Sequence, residues 1–227
     1  MGMNWSHWIK TVRALLVKDI QSELRNRYAL QSLLMFAVVT LVVISFSLGA
    51  GEVSPRVHAV LLWIALFFSS MAGLARPLVK EVEQNTAEAL RLSVSAEAVY
   101  WGKLLFNTLL LLVVNGLILA LYYFFMSPPG AGARGVMLIV LLGTIGLSGA
   151  STLLSAMVAR ASMKGALLPV LAFPVLLPVL ISAVQATRLS WEGQLLPAWM
   201  GELQMMIFYP LLLVTASHLL FPLVWED

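Results

Sequence analysis

The chain has 227 residues, 60% of them hydrophobic and only 11% charged, whereas soluble domains are roughly 25% charged. So little polar surface excludes a water-soluble globule. The absence of cysteine excludes disulfides, thiolate metal sites and a cysteine nucleophile, and the net charge of +3 reads as juxtamembrane Lys and Arg, with no nucleic-acid partner.

Residues 1–29 alternate at helical spacing. Trp5, Trp8, Ile9, Val12, Leu16 and Ile20 make an apolar face, and Lys10, Arg13, Lys18, Gln21 and Arg25 a polar one. Charges run throughout, without the apolar core or cleavage site of a secretory signal. Tryptophan and basic residues suit the headgroup level, so the pattern predicts an amphipathic interfacial helix on membrane lipid. A helix packed on a partner protein has the same pattern.

Cutting residues 30–227 at their charges leaves six candidate spans, at about 30–50, 57–75, 104–126, 135–159, 165–187 and 205–225. None contains Asp, Glu, Lys or Arg. Each approaches the ~20 residues that cross a ~30 Å hydrocarbon core. A barrel would show shorter segments of alternating polarity. The expected fold is therefore an all-α integral membrane protein with six transmembrane helices. Pro169, Pro174 and Pro178 interrupt the fifth span, and Pro210 and Pro222 the sixth; neighbouring helices can re-satisfy the carbonyls that proline frees.

Eleven of the 14 Lys and Arg fall on the side that holds both termini and residues 76–103; only Arg56, Arg134 and Arg188 fall on the other. The positive-inside rule then places both termini in the cytoplasm.

Residues 76–103 hold eight of the 25 charged side chains. The first part, about 76–92, is rich in helix formers. Lys80, Gln84, Glu88 and Arg91 share one side of that helix, Glu81 lies beside them, and Val79, Val82, Thr86, Ala89 and Leu90 share another side. Such a face predicts a helix that docks on a cytoplasmic partner, although a merely solvated loop also carries charges. On the opposite side, about 188–204, Trp191, Leu195, Leu196, Trp199 and Met200 are too apolar for an ordinary loop. They fit either a re-entrant helical segment anchored by tryptophan or a tight turn packed on its neighbours. Gly143, Gly146, Gly149, Ala150, Ser151, Ser155, Ala156 and Ala159 in the fourth span allow close helix approach, and mark where a neighbour or a second copy of the chain would fit.

The chemistry-bearing motifs are missing. Gly102-Lys103 is followed by leucine, with no GxxxxGK[ST] around it. There is no HExxH or GxSxG, and the spans contain no carboxylates of the kind that serve ion-coupled carriers. No catalytic residue and no metal site is expected. If this chain moves anything, a partner supplies the energy.

Four stretches carry a resemblance. They are KDIQSELRNRYALQSLLMFAV, LLWIALFFSSMAGLARPLVKEVEQNTAEALRL, LLGTIGLSGASTLLSAMVARASMKGALLPVLAFPVLLPVLISAV and the closing LLFPLVWED. Together they resemble the CcmB family, heme exporter protein B, the permease subunit of the cytochrome c maturation ABC transporter. The resemblance implies an ABC-2 type exporter-like permease, non-catalytic, in the bacterial inner membrane. Its coupling helix, here Lys80, Glu81, Gln84, Glu88 and Arg91, would dock on the ATPase CcmA, where ATP binds. CcmC and CcmD are the implied membrane partners, CcmE the heme chaperone served, and heme the implied substrate rather than a resident cofactor. Where the family often has a Gly and then a Pro, this chain has Asn85-Thr86 and Ser93-Val94-Ser95. An expectation from another class is a scaffold that binds heme or organises the complex without transport. In that case His58, Trp191 and Trp199 are the candidate heme or substrate contacts.

Overall fold

The computed structural model describes residues 5–25, 27–48, 53–74, 87–129, 132–159 and 164–226. Every regular element among them is helical: α1 (Trp5–Arg25), α2 (Arg27–Leu48), α3 (Pro55–Leu74), α4 (Ala87–Ser93), α5 (Ala96–Met126), α6 (Ala133–Ala159), α7 (Lys164–Trp191), a 3-10 turn (Leu196–Trp199) and α8 (Met200–Glu226). Among the described residues, five stretches are long and apolar enough to cross a membrane: Pro55–Gly73, Ala96–Met126, Ala133–Thr152, Val170–Trp191 and Leu196–Leu223. The remaining candidate, α2, has 22 residues, about 33 Å at 1.5 Å per residue, and among the described residues its apolar stretch is Leu34–Leu48.

Local chemistry sets the helix ends. The Ser54 carbonyl accepts from His58 N at 3.1 Å, the Ser54 hydroxyl accepts from Val57 N at 3.4 Å, and Pro55 opens α3, where its missing N–H costs nothing. At the other end of its span, α5 stops at Ser127, which is left-handed (φ 44, ψ 53) and precedes Pro128-Pro129. At the end of α7, Gly193 N donates to the Ser190 carbonyl (3.1 Å) and Gln194 N to the Leu189 carbonyl (3.0 Å). This Schellman pair needs the positive φ of Gly193 (+73°).

The third span begins earlier than its charges imply. The helix starts at Ala96 rather than near residue 104, taking in Glu97 and Lys103. Ala96, Ala98, Val99 and Tyr100 are all buried, so packing keeps this segment helical where polarity alone reads as a loop.

The centre of the bundle is α6, which packs on α5, α7 and α8. Its run of small residues is filled by the chain's own helices. A Cβ on Gly143 would collide with the Trp63 indole of α3. One on Gly146 would lie 3.1 Å from Pro210 of α8 and 3.2 Å from Val179 of α7, and one on Gly149 would lie 2.7 Å from Val214 of α8. Polar side chains point inward, as at Ser69, Asn107, Asn115 and Thr144, while Phe46 is 85% and Phe124 78% exposed. An apolar exterior around a hydrogen-bonded interior suits lipid as the solvent.

Candidate functional site

Three polar features run along the bundle. At the end formed by the start of α3 and the ends of α5 and α7, His58 is buried among aromatic rings. The Tyr122 hydroxyl donates to the His58 carbonyl at 3.0 Å and lies 2.9 Å from His58 Nδ1. A hydroxyl has one proton, so in the tautomer where it serves the carbonyl, Nδ1 carries a proton of its own and donates. Trp191 stacks on Tyr122 (centroids 6.2 Å apart, 16° between planes), meets His58 edge-on at 6.0 Å and donates its indole N–H to the Tyr123 hydroxyl at 3.0 Å. His58 and Trp191 thus belong to one aromatic cluster. Trp199 is also buried but sits apart from the imidazole. It faces Gly135 and donates to the Gln194 carbonyl at 3.4 Å. His58 is only 5% exposed, and the Tyr122 and Trp191 rings both meet it edge-to-face.

In the middle, hydrogen bonds cross between helices. Ser70 donates to Asn115 Oδ1 (3.2 Å), Asn115 Nδ2 donates to Thr144 (3.0 Å), and Asn107 Nδ2 donates to Thr152 (3.0 Å). Thr108 and Ser148 share a bond of 2.8 Å. These groups bind one another across α3, α5 and α6. Trp63 donates to Thr187 at 2.9 Å, tying α3 to α7. Between α3 and α7 lies a lateral groove of about 260 Å³, lined by Trp63, Phe67, Phe68 and Phe173, with Arg56 and Gln185 among its few polar groups.

At the opposite end, α1, α4, α5 and α8 meet. Leu15, Leu90, Tyr100, Phe221 and Trp225 form one buried cluster. Beside it, Lys103 Nζ of α5 is 2.9 and 3.0 Å from the two carboxylate oxygens of Asp19 on α1, with side chains 2% and 8% exposed. The buried line of α1 is Val12, Leu15 and Asp19, while Ile9 is 57% exposed. The apolar face expected from spacing is therefore rotated, because the helix lies against α5 and only partly against a surface.

The docking residues expected from sequence divide three ways. Lys80, Glu81 and Gln84 lie outside the described residues. Glu88 is exposed on α4. Arg91 is turned inward, its guanidinium 5.3 Å from the Trp225 ring centroid, a cation–π contact. Sequence reasoning missed Leu92, which is 91% exposed and one turn from Glu88 on the same face, as i,i+4 residues are. It also missed Asp19, Lys103 and Tyr122. For Asp19 a signal existed: a single acid on the 12–15–19 line of an otherwise apolar helical stripe.

A bundle of apolar helices with a hydrogen-bonded interior and an amphipathic helix tethered at one end defines an all-α, multi-pass membrane protein. A family model described as CcmB protein matches residues 10–221. The chain belongs to the CcmB family. It is 26% identical over 184 residues to heme exporter protein B of Rhodobacter capsulatus, an alignment that covers 80% of this chain and 84% of that one.

Proposed function

We propose that this chain is the permease subunit of an ABC-type heme exporter serving cytochrome c maturation in the bacterial inner membrane, driven by hydrolysis in a separate ATPase. The family match along residues 10–221 carries the reading. The relative's name supports heme as the substrate class. In the cell the partners would be CcmA for ATP hydrolysis, CcmC and CcmD in the membrane, and CcmE as the heme acceptor. Either heme itself crosses, or hydrolysis releases the heme-loaded chaperone.

The α4 end of the bundle would face the cytoplasm, because eleven of the 14 Lys and Arg cluster on that side. There α4 holds Leu90 in the buried cluster and leaves Glu88 and Leu92 outward. A leucine that is 91% exposed beside a carboxylate would offer the ATPase an apolar contact flanked by a charge, as a helix laid in a groove does. Lys80, Glu81 and Gln84 would extend it, and Arg91 would hold α4 against Trp225.

The test is co-purification of the ATPase with the membrane complex. Leu92→Glu combined with Glu88→Lys should release the ATPase while leaving the permease in the membrane. Full retention of the ATPase by that variant, and by one that also reverses Lys80, would refute docking at this segment.

A further inference from the structure

We infer that Asp19 and Lys103 are positioning residues that lock α1 onto α5, so that α1 travels with the docking helix α4 as one body. The inference rests on the reading that α4 meets the ATPase.

The geometry is specific. Only Val94 and Ser95 separate α4 from α5, so a displacement of α4 reaches the first turns of α5 directly. Those turns are already packed: Ala96, Val99 and Tyr100 share a buried cluster with Leu90 of α4, Leu15 of α1 and Phe221 of α8. Helix α1 touches α5 at two consecutive points. Leu15 fills the notch at Gly102, where a Cβ would stand 3.0 Å from Leu15 Cβ. One turn further along α1, Asp19 reaches Lys103, the residue after Gly102, at 2.9 Å.

The chemistry of the pair points to position rather than stability. Desolvating two charges costs as much as their attraction returns, and apolar residues of the same size often stabilise a site equally well. What an apolar pair lacks is a fixed register. Leucine against methionine can slide along a helix, whereas a carboxylate with an ammonium 2.9 Å away in a buried site cannot slide without separating opposite charges. At a joint that must carry motion from α4 into α1, that difference decides which pair serves. A helix that merely floats on the leaflet would keep its acid on the water side.

The experiment replaces the pair with Asp19→Leu and Lys103→Met together, which nearly keeps volume and removes both charges of the pair at once. The chain has no cysteine, so Leu15→Cys with Gly102→Cys reports the α1–α5 register by its disulfide yield. In the isolated permease the yield should fall when the ion pair is replaced; an unchanged yield overturns the lock and needs no ATPase to show it. In cells at equal permease and ATPase levels, heme-stained mature cytochrome c should fall about tenfold, inside the usual span of coupling between linked sites, while the ATPase still co-purifies. Restoring the tether by oxidising the cysteine pair, or by the swap Asp19→Lys with Lys103→Asp, should recover maturation. Wild-type maturation from the apolar double variant overturns the inference. Failure of the native chain to hold an ATPase would instead sink the docking reading, and the disulfide result would stand apart from it.

Discussion

At Gly143 a hydrogen atom makes room for the Trp63 indole, which in turn donates to Thr187 at 2.9 Å. Any larger side chain forces the ring out and breaks that bond. Gly143→Val should therefore destabilise the bundle by about 1–3 kcal/mol, the usual cost of overpacking, read as a lower unfolding midpoint in detergent. Gly201, with no atom near its missing Cβ, is the control, where Gly201→Ala should leave the midpoint unchanged or slightly raised. Tyr122 is a second such point. Its hydroxyl serves both the His58 carbonyl and Nδ1. Tyr122→Phe orphans a buried N–H and should cost about 1–3 kcal/mol. A midpoint equal to that of the native chain would mean the imidazole has another partner. At this scale the sequence was least informative: His58 and Trp191 stood out by residue type, but Tyr122, 64 positions along, is joined to them only by the crossing of α3 and α5.

Elements were more legible. Charge-free runs located α3, α6, α7 and α8 closely, because each must bury its own backbone hydrogen bonds in lipid. The start of α5 was not legible in the same way. Glu97 and Lys103 read as a water-exposed loop until α1 supplies Asp19 and the cluster around Tyr100 supplies apolar cover. The same holds for the face of α1, which is set by α5 as much as by amphipathicity. The links between elements make a prediction of their own. Asn115 joins α3 to α6 by accepting from Ser70 and donating to Thr144. Asn115→Leu removes both bonds and should cost about 1–2 kcal/mol, since interhelical hydrogen bonds in membranes are worth about 0.6 kcal/mol on average and up to ~1.7. Thermal or denaturant unfolding in detergent measures it, and an unchanged midpoint would mean that water or other groups satisfy Ser70 and Thr144 once Asn115 is gone.

For the whole molecule, the antiparallel order of α3, α5, α6, α7 and α8 puts Ser54 and Glu192 at one end and Glu88 at the other. Single cysteines at these positions, in a chain with none of its own, should react with an impermeant thiol reagent from opposite sides of sealed vesicles. Ser54→Cys and Glu192→Cys should label from the periplasmic side and Glu88→Cys from the cytoplasmic side. Labelling of all three from one side would dismantle the bundle order and the docking proposal together. The exposed apolar side chains on the perimeter, among them Phe46, Val113 and Leu219, accept lipid tails, so the molecule is held together by close packing and internal hydrogen bonds more than by exclusion of water.

The sequence by itself determined that the chain lives in a bilayer, that it is built of helices, roughly where they run, and that no motif for nucleotide hydrolysis or ion coupling is written into it. Those properties follow from composition and from the need to satisfy every backbone polar group locally, which a run of apolar residues meets in one way. Only the tertiary structure decided which small residues admit which rings, that Leu92 points outward while Arg91 lies over Trp225, and that Asp19 finds Lys103. Each of these joins residues far apart in the chain or sets the rotation of a helix about its axis, and such choices are made by neighbouring helices rather than by the segment's own pattern.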